Sequence, residues 1–175
     1  MAREVVYRGR KIQVAVDTMP LPNGDVLRRD VIYHPGAVVI LPMVDDDHVC
    51  LIRNHRFVIG ETLLELPAGT LEPPEPPDVA AVRELAEETG YQARRWRKLI
   101  EFYASPGVLD ERMHLYVAQD LTPGSQELKH DEQIELEVLS WSEAMKAACN
   151  GAIRDAKTLV GLFLWNELRS CSPTA

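Results

Sequence analysis

Three glutamates are placed on one face of a single predicted helix, and no other feature restricts the fold of this chain as strongly. Glu84, Glu87 and Glu88 have the spacing i, i+3 and i+4 within residues 78–89, which are predicted to be helical. Side chains at this spacing are neighbours, with Cβ atoms about 5–6 Å apart, so the carboxylates repel one another. The pattern indicates either an ordinary solvated face or a site where a hard cation such as Mg²⁺ or Mn²⁺ lies between the carboxylates. In both cases we expect the acidic face to be exposed.

The residues around this helix follow a longer pattern, G-x5-E-x7-R-E-U-x-E-E-x-G-U, in which U is a bulky apolar or aromatic residue. Its positions are filled by Gly69, Glu75, Arg83, Glu84, Leu85, Glu87, Glu88, Gly90 and Tyr91. Seven of these positions require a single residue type. Chance agreement has a probability on the order of one in 10⁹ for each starting position. The longer pattern therefore favours the cation site over the ordinary acidic face.

This pattern is the Nudix box, and the chain resembles the Nudix hydrolase superfamily, whose members cleave a nucleoside diphosphate linked to another group. The resemblance implies an α/β fold, an α/β/α sandwich with a mixed β-sheet. It also implies that Glu84, Glu87 and Glu88, together with the carbonyl of Ala68, bind two or more Mg²⁺ (or Mn²⁺) ions. Such ions would neutralise the phosphate oxygens and lower the pKa of the attacking water. Arg83 lies four residues before Glu87 and is expected to orient that carboxylate.

Three features outside the box resemble the ADP-ribose pyrophosphatase branch of the superfamily. They are the lead-in L-E-L-P-A-G at residues 64–69, the run R-N-H-R at residues 53–56, and a proline, Pro106, fifteen residues beyond the box. On this resemblance Arg56, Glu65 and Pro106 are candidate substrate-binding residues. Arg56 is a candidate contact to the diphosphate, since a guanidinium group binds phosphate oxygens in a bidentate manner.

The resemblance implies hydrolysis of a nucleotide sugar, with ADP-ribose cleaved to AMP and ribose 5-phosphate. A GDP- or UDP-linked sugar is the alternative substrate within the same class. An alternative in a different class is a non-catalytic nucleotide sensor, which is disfavoured because all four glutamates of the box are present.

The general base is expected in the acidic loop at residues 122–133. Glu132 best matches the loop glutamate of the family, as the base or as a further metal ligand. Relatives often carry an acid two positions earlier, where this chain has His130. His130 is therefore a second candidate, because an imidazole accepts a proton near neutral pH.

The N-terminal residues 1–35 are predicted to form an antiparallel β extension, with a turn at P-N-G-D, residues 22–25. In the branch that the chain resembles, such strands commonly reach into the site of a partner, so a homodimer is expected. Arg29 lies in the matching region and is a candidate substrate contact. Residues 36–175 are then the hydrolase domain, and the two parts form one globular unit.

The remaining periodicity predicts a mixed sheet between helices. Strands are predicted at residues 37–44, 48–54, 61–66, 99–103, 112–118 and 134–141. Asp78 is predicted to cap the acidic helix, and Ser142 to cap a second helix ending near residue 149. A third helix at residues 155–169 is expected to bury Leu159, Leu162, Phe163 and Leu168.

Composition restricts the partners. The chain has 175 residues, 27 of them acidic and 19 basic, so its net charge of −8 argues against a bulk nucleic-acid binder. An anionic substrate remains compatible, because bound cations invert the local field. No apolar run approaches the roughly 18 residues that cross a membrane. The three cysteines include no C-x-x-C pair, which fits a reducing cytoplasm.

Overall fold

The computed structural model describes residues 2–130 and 133–171. The strands are β1 (Ala2–Arg8), β2 (Gln13–Pro20), β3 (Val26–Tyr33), β4 (Ala37–Pro42), β5 (His48–Arg56), β6 (Glu61–Glu65), β7 (Ala68–Thr70), β8 (Gln92–Tyr103), β9 (Arg112–Thr122) and β10 (Ile134–Ser140). The helices are α1 (Pro77–Thr89), α2 (Trp141–Cys149) and α3 (Ala156–Cys171).

The first three strands form their own antiparallel sheet in the order β1-β2-β3, as predicted. Its strands are joined by a polar cluster around Asp17, which is 6% exposed. The Asp17 carboxylate accepts a hydrogen bond from the Tyr33 hydroxyl and one from Arg3 Nε at 3.1 Å. These two bonds lower the pKa of Asp17, with that from Tyr33 having the larger effect.

The centre of the molecule is a mixed sheet in the order β7-β4-β9-β8, in which β4 and β9 are parallel and the other pairs antiparallel. An antiparallel sheet in the order β10-β5-β6 lies beside it. Strand β4 is buried on both faces. Its residues Val38 and Ile40 pack under α1, whereas Val39 and Leu41 pack with side chains of α2 and α3. Alternate side chains of β4 therefore belong to two hydrophobic cores, one on each face of the sheet. The predicted α/β/α sandwich is confirmed.

Strand β8 is much longer than the strand predicted at residues 99–103. It begins at Gln92, because Ala93 and Trp96 pack against the α1 core while the basic residues between them face solvent. Four basic side chains within seven residues hide this alternation in the sequence. Since β8 is the edge of its sheet, its charges also oppose pairing with another chain. Strand β9 likewise continues to Thr122.

The predicted caps of α1 and α2 are wrong. Helix α1 begins at Pro77 after Pro76, which makes no side-chain cap, so Asp78 lies within the first turn. A proline suits the first helical position, because its missing N–H would have no partner there. In α2 the cap is Ser140, two residues before the predicted Ser142: its hydroxyl accepts from the Glu143 N–H, and the Glu143 side chain accepts from the Ser140 N–H.

The predicted buried stripe of α3 is correct at Leu162, which is fully buried, and wrong at Phe163, which is 42% exposed. Trp165 takes the buried position instead, three residues after Leu162, as the helical repeat requires. Leu159 and Leu168 pack partly buried against the same core. Within residues 2–130 and 133–171, no helix is long and apolar enough to cross a membrane.

Candidate active site

The acidic face of α1 is turned into the protein. Glu84 and Glu88 are only 3% and 4% exposed, so the expectation of an exposed face is wrong for these two residues. Strand β7 covers them, because the Ala68 N–H donates to Glu88 Oε2 at 2.9 Å. A Cβ atom on Gly69 would lie 1.9 Å from Glu84 Cδ. The two carboxylates are therefore held against backbone.

Arg83 connects four members of the box into one network. Its Nε and Nη2 atoms donate to the two carboxylate oxygens of Glu75 at 2.9 and 2.8 Å. Its Nη1 atom donates to Glu84 Oε1 at 2.7 Å and to Glu87 Oε2 at 3.2 Å. The expected contact between Arg83 and Glu87 is present. Glu75, anchored on the other edge of the guanidinium group, fixes the direction in which Arg83 points.

The electrostatics of this face are set by burial and by two cations. Burial raises the pKa of the Glu84 carboxyl above its ordinary value, and the hydrogen bond from Arg83 opposes this shift. Lys129 Nζ lies 3.3 Å from Glu87 Oε2. Arg83 and Lys129 thus offset part of the negative charge on a helix face that would otherwise repel itself.

The donor chemistry of this face fits a hard divalent cation. Buried carboxylate oxygens are the ligands that Mg²⁺ and Mn²⁺ prefer, and the absence of a side chain on Gly69 leaves room for backbone and carboxylate to approach. In the conformation described for residues 2–130 and 133–171, no three acidic, histidine or cysteine side chains are grouped closely enough to hold a metal. In this conformation Arg83 is hydrogen-bonded to both Glu84 and Glu87.

A cleft of about 890 Å³ opens beside the buried carboxylates. Its wall includes four of the predicted site residues, Arg56, Ala68, Glu84 and Glu88. Glu87 lies next to this wall, engaged by Arg83 and Lys129. The volume is that of a site for a ligand of nucleotide size.

Arg56, at the end of β5, is held by Glu65 of β6. Its Nε and Nη2 atoms donate to the two oxygens of Glu65 at 2.7 and 2.5 Å. Glu65 is fully buried and lies behind Arg56, away from the cleft wall, whereas the Arg56 side chain is 40% exposed. Glu65 is therefore paired with Arg56 and is not among the residues that line the cleft.

Two other predicted substrate contacts lie outside the cleft of this chain. Arg29 is an exposed residue of β3, where its Nη1 atom donates to the Arg28 carbonyl at 3.1 Å. Pro106 is exposed in the turn between β8 and β9. The expected base Glu132 lies outside the described residues.

The start of the acidic loop is fixed to the end of α1. The Glu127 N–H donates to the Glu87 carbonyl at 2.9 Å, and Gln126 Nε2 donates to the Glu88 carbonyl at 2.6 Å. His130 follows as an exposed residue. The structure therefore brings this loop to the box, as the prediction of a loop base requires.

The cleft has a basic component that the sequence interpretation missed. Arg10, Lys11 and Lys129 line it, and none of the three is among the predicted site residues. Three basic residues within four positions, R-G-R-K, were the available signal. Phe57 and Val58, almost fully exposed at the β5–β6 turn, add an apolar edge.

A second cavity, of about 490 Å³, lies on the other side of α1. It is lined by the apolar and aromatic residues Val79, Val82, Trp96 and Tyr116 and by the charged residues Asp78 and Arg83. It lacks the buried carboxylates and the basic residues of the first cleft, so the first cleft is the candidate active site.

Comparisons with known proteins show the family to which the chain belongs. The family model of the NUDIX domain matches residues 33–159. The ADP-ribose pyrophosphatase of Bacillus subtilis (strain 168) is 37% identical over 160 residues, which cover 90% of this chain and 86% of that protein. A GDP-mannose pyrophosphatase of Cronobacter sakazakii is 37% identical over 134 residues, covering 71% of this chain and 70% of that protein.

A crystal structure of an ADP compounds hydrolase matches the fold with a TM-score of 0.85 and 29% identity, covering 97% of this chain and 92% of that chain. The family model spans most of the chain, and the box lies inside the matched region. The chain therefore belongs to the Nudix family and is a pyrophosphohydrolase.

Proposed function

We propose that this protein hydrolyses ADP-ribose to AMP and ribose 5-phosphate in a Mg²⁺-dependent reaction. The observation that carries the proposal is the shared wall of the cleft, where Arg56 lies with the buried carboxylates Glu84 and Glu88. A phosphate-binding guanidinium group beside metal-binding oxygens is what cleavage of a diphosphate needs. Similarity to a relative named ADP-ribose pyrophosphatase over 90% of the chain supports the choice of substrate.

The proposed ligands of two or more Mg²⁺ (or Mn²⁺) ions are Glu84, Glu87, Glu88, the Ala68 carbonyl and Glu132. When bound, such ions neutralise phosphate oxygens and supply a water of lowered pKa. Glu84 and Glu88 both lie against β7, the strand that also carries the Ala68 carbonyl.

The chain's own cations bind and orient the substrate. Arg56 is proposed to hold the diphosphate, and Arg10, Lys11 and Lys129 to attract the anion into a protein of net charge −8. Arg83 acts indirectly, by orienting Glu84 and Glu87.

The proposed general base is Glu132. The anchoring of residues 126 and 127 to the end of α1 supports a base from this loop, because the loop begins beside Glu87 and Glu88. A base in reach of the attacking water would accept its proton as the phosphate bond forms.

The alternative substrate is a GDP- or UDP-linked sugar. Similarity to a GDP-mannose pyrophosphatase over 71% of the chain favours the GDP form among these. The chemistry at the diphosphate is the same for these substrates and for ADP-ribose. Discrimination between them would depend on the cleft residues that contact the nucleotide base and the sugar.

The proposed assembly is a homodimer formed through the N-terminal extension, residues 1–35, with residues 36–175 as the hydrolase domain. Apolar side chains exposed on the extension, Val6, Tyr7, Met19 and Val26, support this assembly. Arg29 would then act as a substrate contact from this extension. The three free cysteines support a cytoplasmic location.

The test of function is phosphate release from a panel of nucleotide sugars, coupled to excess phosphatase, with Mg²⁺ and with chelator. ADP-ribose should give the highest kcat/KM, and chelation should remove the activity. A GDP- or UDP-sugar that leads the panel would overturn the ADP-ribose assignment. Light scattering of the full chain and of a variant with charged residues at positions 6 and 26 tests the dimer.

A further inference from the structure

Arg56 belongs to a linked group of four charges, and the other three are Glu65, Lys157 and Asp155. Glu65 is fully buried, and Lys157, near the start of α3, is only 8% exposed. Lys157 Nζ donates to Glu65 Oε2 at 2.5 Å and to Asp155 Oδ1 at 2.9 Å. The Nη2 atom of Arg56 donates to the same oxygen of Glu65. A lysine from the C-terminal helix thus shares a carboxylate with the arginine of the cleft wall.

Anchoring of α3 does not explain the presence of this lysine. Asp155 Oδ2 accepts from the N–H of Thr158 at 3.0 Å and from its hydroxyl, which in turn accepts from the Leu66 N–H at 2.8 Å. These bonds already fix the start of α3 to the strand region before Ala68. A buried lysine is costly to desolvate, so its position next to Glu65 calls for a further explanation.

The geometry determines which part of Arg56 is left for a ligand. Glu65 occupies Nε and Nη2, and Nη1 makes no hydrogen bond within the described part of the chain. Lys157 donates to the same carboxylate oxygen of Glu65 as Arg56 Nη2 does, so Glu65 is bonded to both cations. Arg56 is therefore held with one edge of its guanidinium group available on the cleft wall.

The charges determine how attractive that edge is to an anion. Arg56 and Lys157 carry two positive charges, and Glu65 and Asp155 two negative charges, so the group is neutral. Without Lys157 the group would have a net charge of −1 at the wall where a diphosphate would bind. Buried charges are poorly screened, so this difference would act directly on an anionic ligand.

We propose that Lys157 is a positioning residue for binding of the substrate diphosphate, acting on Arg56 through Glu65. The inference rests on the proposed function, in which Arg56 contacts the diphosphate. Lys157 does not touch the substrate. Its role is to fix the orientation of the Glu65–Arg56 pair and to keep that pair from repelling the anion.

The test is a double-mutant cycle at Lys157 and Glu65 with ADP-ribose as substrate. Lys157→Met should raise KM about tenfold and change kcat less than about twofold, because it weakens binding of ground state and transition state alike. Lys157→Arg should restore most of the loss. In a Glu65→Gln background, Lys157→Met should change KM less than about twofold, since the carboxylate that couples the two residues is gone.

Arg154→Met is the matched control. Arg154 is a cation of the same segment that pairs with Glu61 at the surface, where both side chains are about half exposed. Its removal should leave KM unchanged. A purely structural lysine would instead lower thermal stability without changing KM, or change KM equally in both Glu65 backgrounds, and either result overturns the proposal.

A binding measurement separates this inference from the proposed function. Titration calorimetry with ADP should show weaker binding for Arg56→Met and Lys157→Met than for the wild type. If Arg56→Met binds ADP more weakly and Lys157→Met binds it as the wild type does, the role of Lys157 is overturned and the role of Arg56 stands. Absence of hydrolysis across the panel, with ADP binding that depends on both residues, overturns the proposed reaction and keeps the role of Lys157. ADP binding that depends on neither residue overturns the proposed roles of both Arg56 and Lys157, and the proposed reaction is then decided by the panel alone.

Discussion

Gly69 lies so close to Glu84 that a single added methyl group would come within 1.9 Å of the Glu84 carboxyl carbon and 2.0 Å of its Oε1 atom. The requirement for glycine is therefore steric. The backbone of β7 and the acidic face of α1 pack against each other with no space for a side chain between them.

Gly69→Ala is expected to lower kcat/KM about hundredfold, because either Glu84 or β7 must move and small displacements in a catalytic site are costly. Steady-state kinetics at saturating Mg²⁺ measure this effect. Gly107→Ala is the control, since a Cβ atom there meets nothing within 4 Å. Equal activity of the two variants would contradict the proposed packing of the site.

Glu88→Gln is expected to lower kcat more than about hundredfold while the protein stays folded, because a metal-binding charge is lost. The amide oxygen of glutamine still accepts the hydrogen bond from the Ala68 N–H, so buried polar groups remain satisfied. Circular dichroism and thermal melting check folding. Glu167→Gln, an exposed change on α3, is the control. Near-wild-type turnover of Glu88→Gln would exclude this helix face as the metal site.

Glu132→Gln is expected to cost at least about tenfold in kcat, the usual range for loss of a general base. The pH–rate profile should lose its acidic limb in this variant. His130→Gln serves as the companion and should have a small effect. If the larger loss occurs in His130→Gln, the base is the histidine.

The contribution of Asp17 to stability should depend on pH. Hydrogen bonds from Tyr33 and Arg3 lower the pKa of Asp17 below 3.8 in the folded protein, so the folded state releases its proton more readily than the unfolded chain. The stabilisation by Asp17 is therefore complete when the pH is above the pKa of Asp17 in the unfolded chain. It is lost as the pH falls through the pKa of Asp17 in the folded protein. Asp17→Asn should melt below the wild type at about pH 7, and the difference should shrink as the pH falls below the unfolded value of 3.8.

Thermal melts of both proteins across this range measure the effect. Asp30→Asn is the control, an exposed carboxylate of the same sheet without a side-chain hydrogen bond in the described part of the chain. A difference in melting temperature between wild type and Asp17→Asn that is independent of pH would show that the charge of Asp17 is not responsible.

Ser140→Ala should reduce the free energy of unfolding by about 1 kcal/mol, because the N–H of Glu143 loses its capping oxygen. Chemical denaturation gives this value. Ser142→Ala should have a clearly smaller effect, although sequence alone favours Ser142 as the cap. The reverse order would contradict the assignment of the cap.

The sequence was informative where one local pattern determines both structure and chemistry. The spacing of Glu84, Glu87 and Glu88 predicted the helix and its shared face, and the apolar run at residues 37–44 predicted a central strand. The spacing could not predict that Glu84 and Glu88 are buried, because burial depends on β7, which reaches them through tertiary packing.

Other features escaped prediction for equally physical reasons. The long β8 was hidden by arginines that face solvent, since only Ala93 and Trp96 carry its apolar signal. Glu65 is bonded to Lys157, which is 92 residues away in the sequence. Contacts over such separations leave no local periodicity, so neither that lysine nor the approach of Lys129 to Glu87 could be predicted.

The burial of β4 on both faces has a consequence for how such a chain can diversify. A substitution at Val38 or Ile40 alters packing under α1, and one at Val39 or Leu41 alters packing under α2 and α3, so the strand tolerates few changes on either side. The exposed turn at Phe57 and Val58 has no such constraint, although it borders the cleft. New ligand preferences can therefore arise at this rim by drift, while the strand that supports the acidic helix α1 stays fixed.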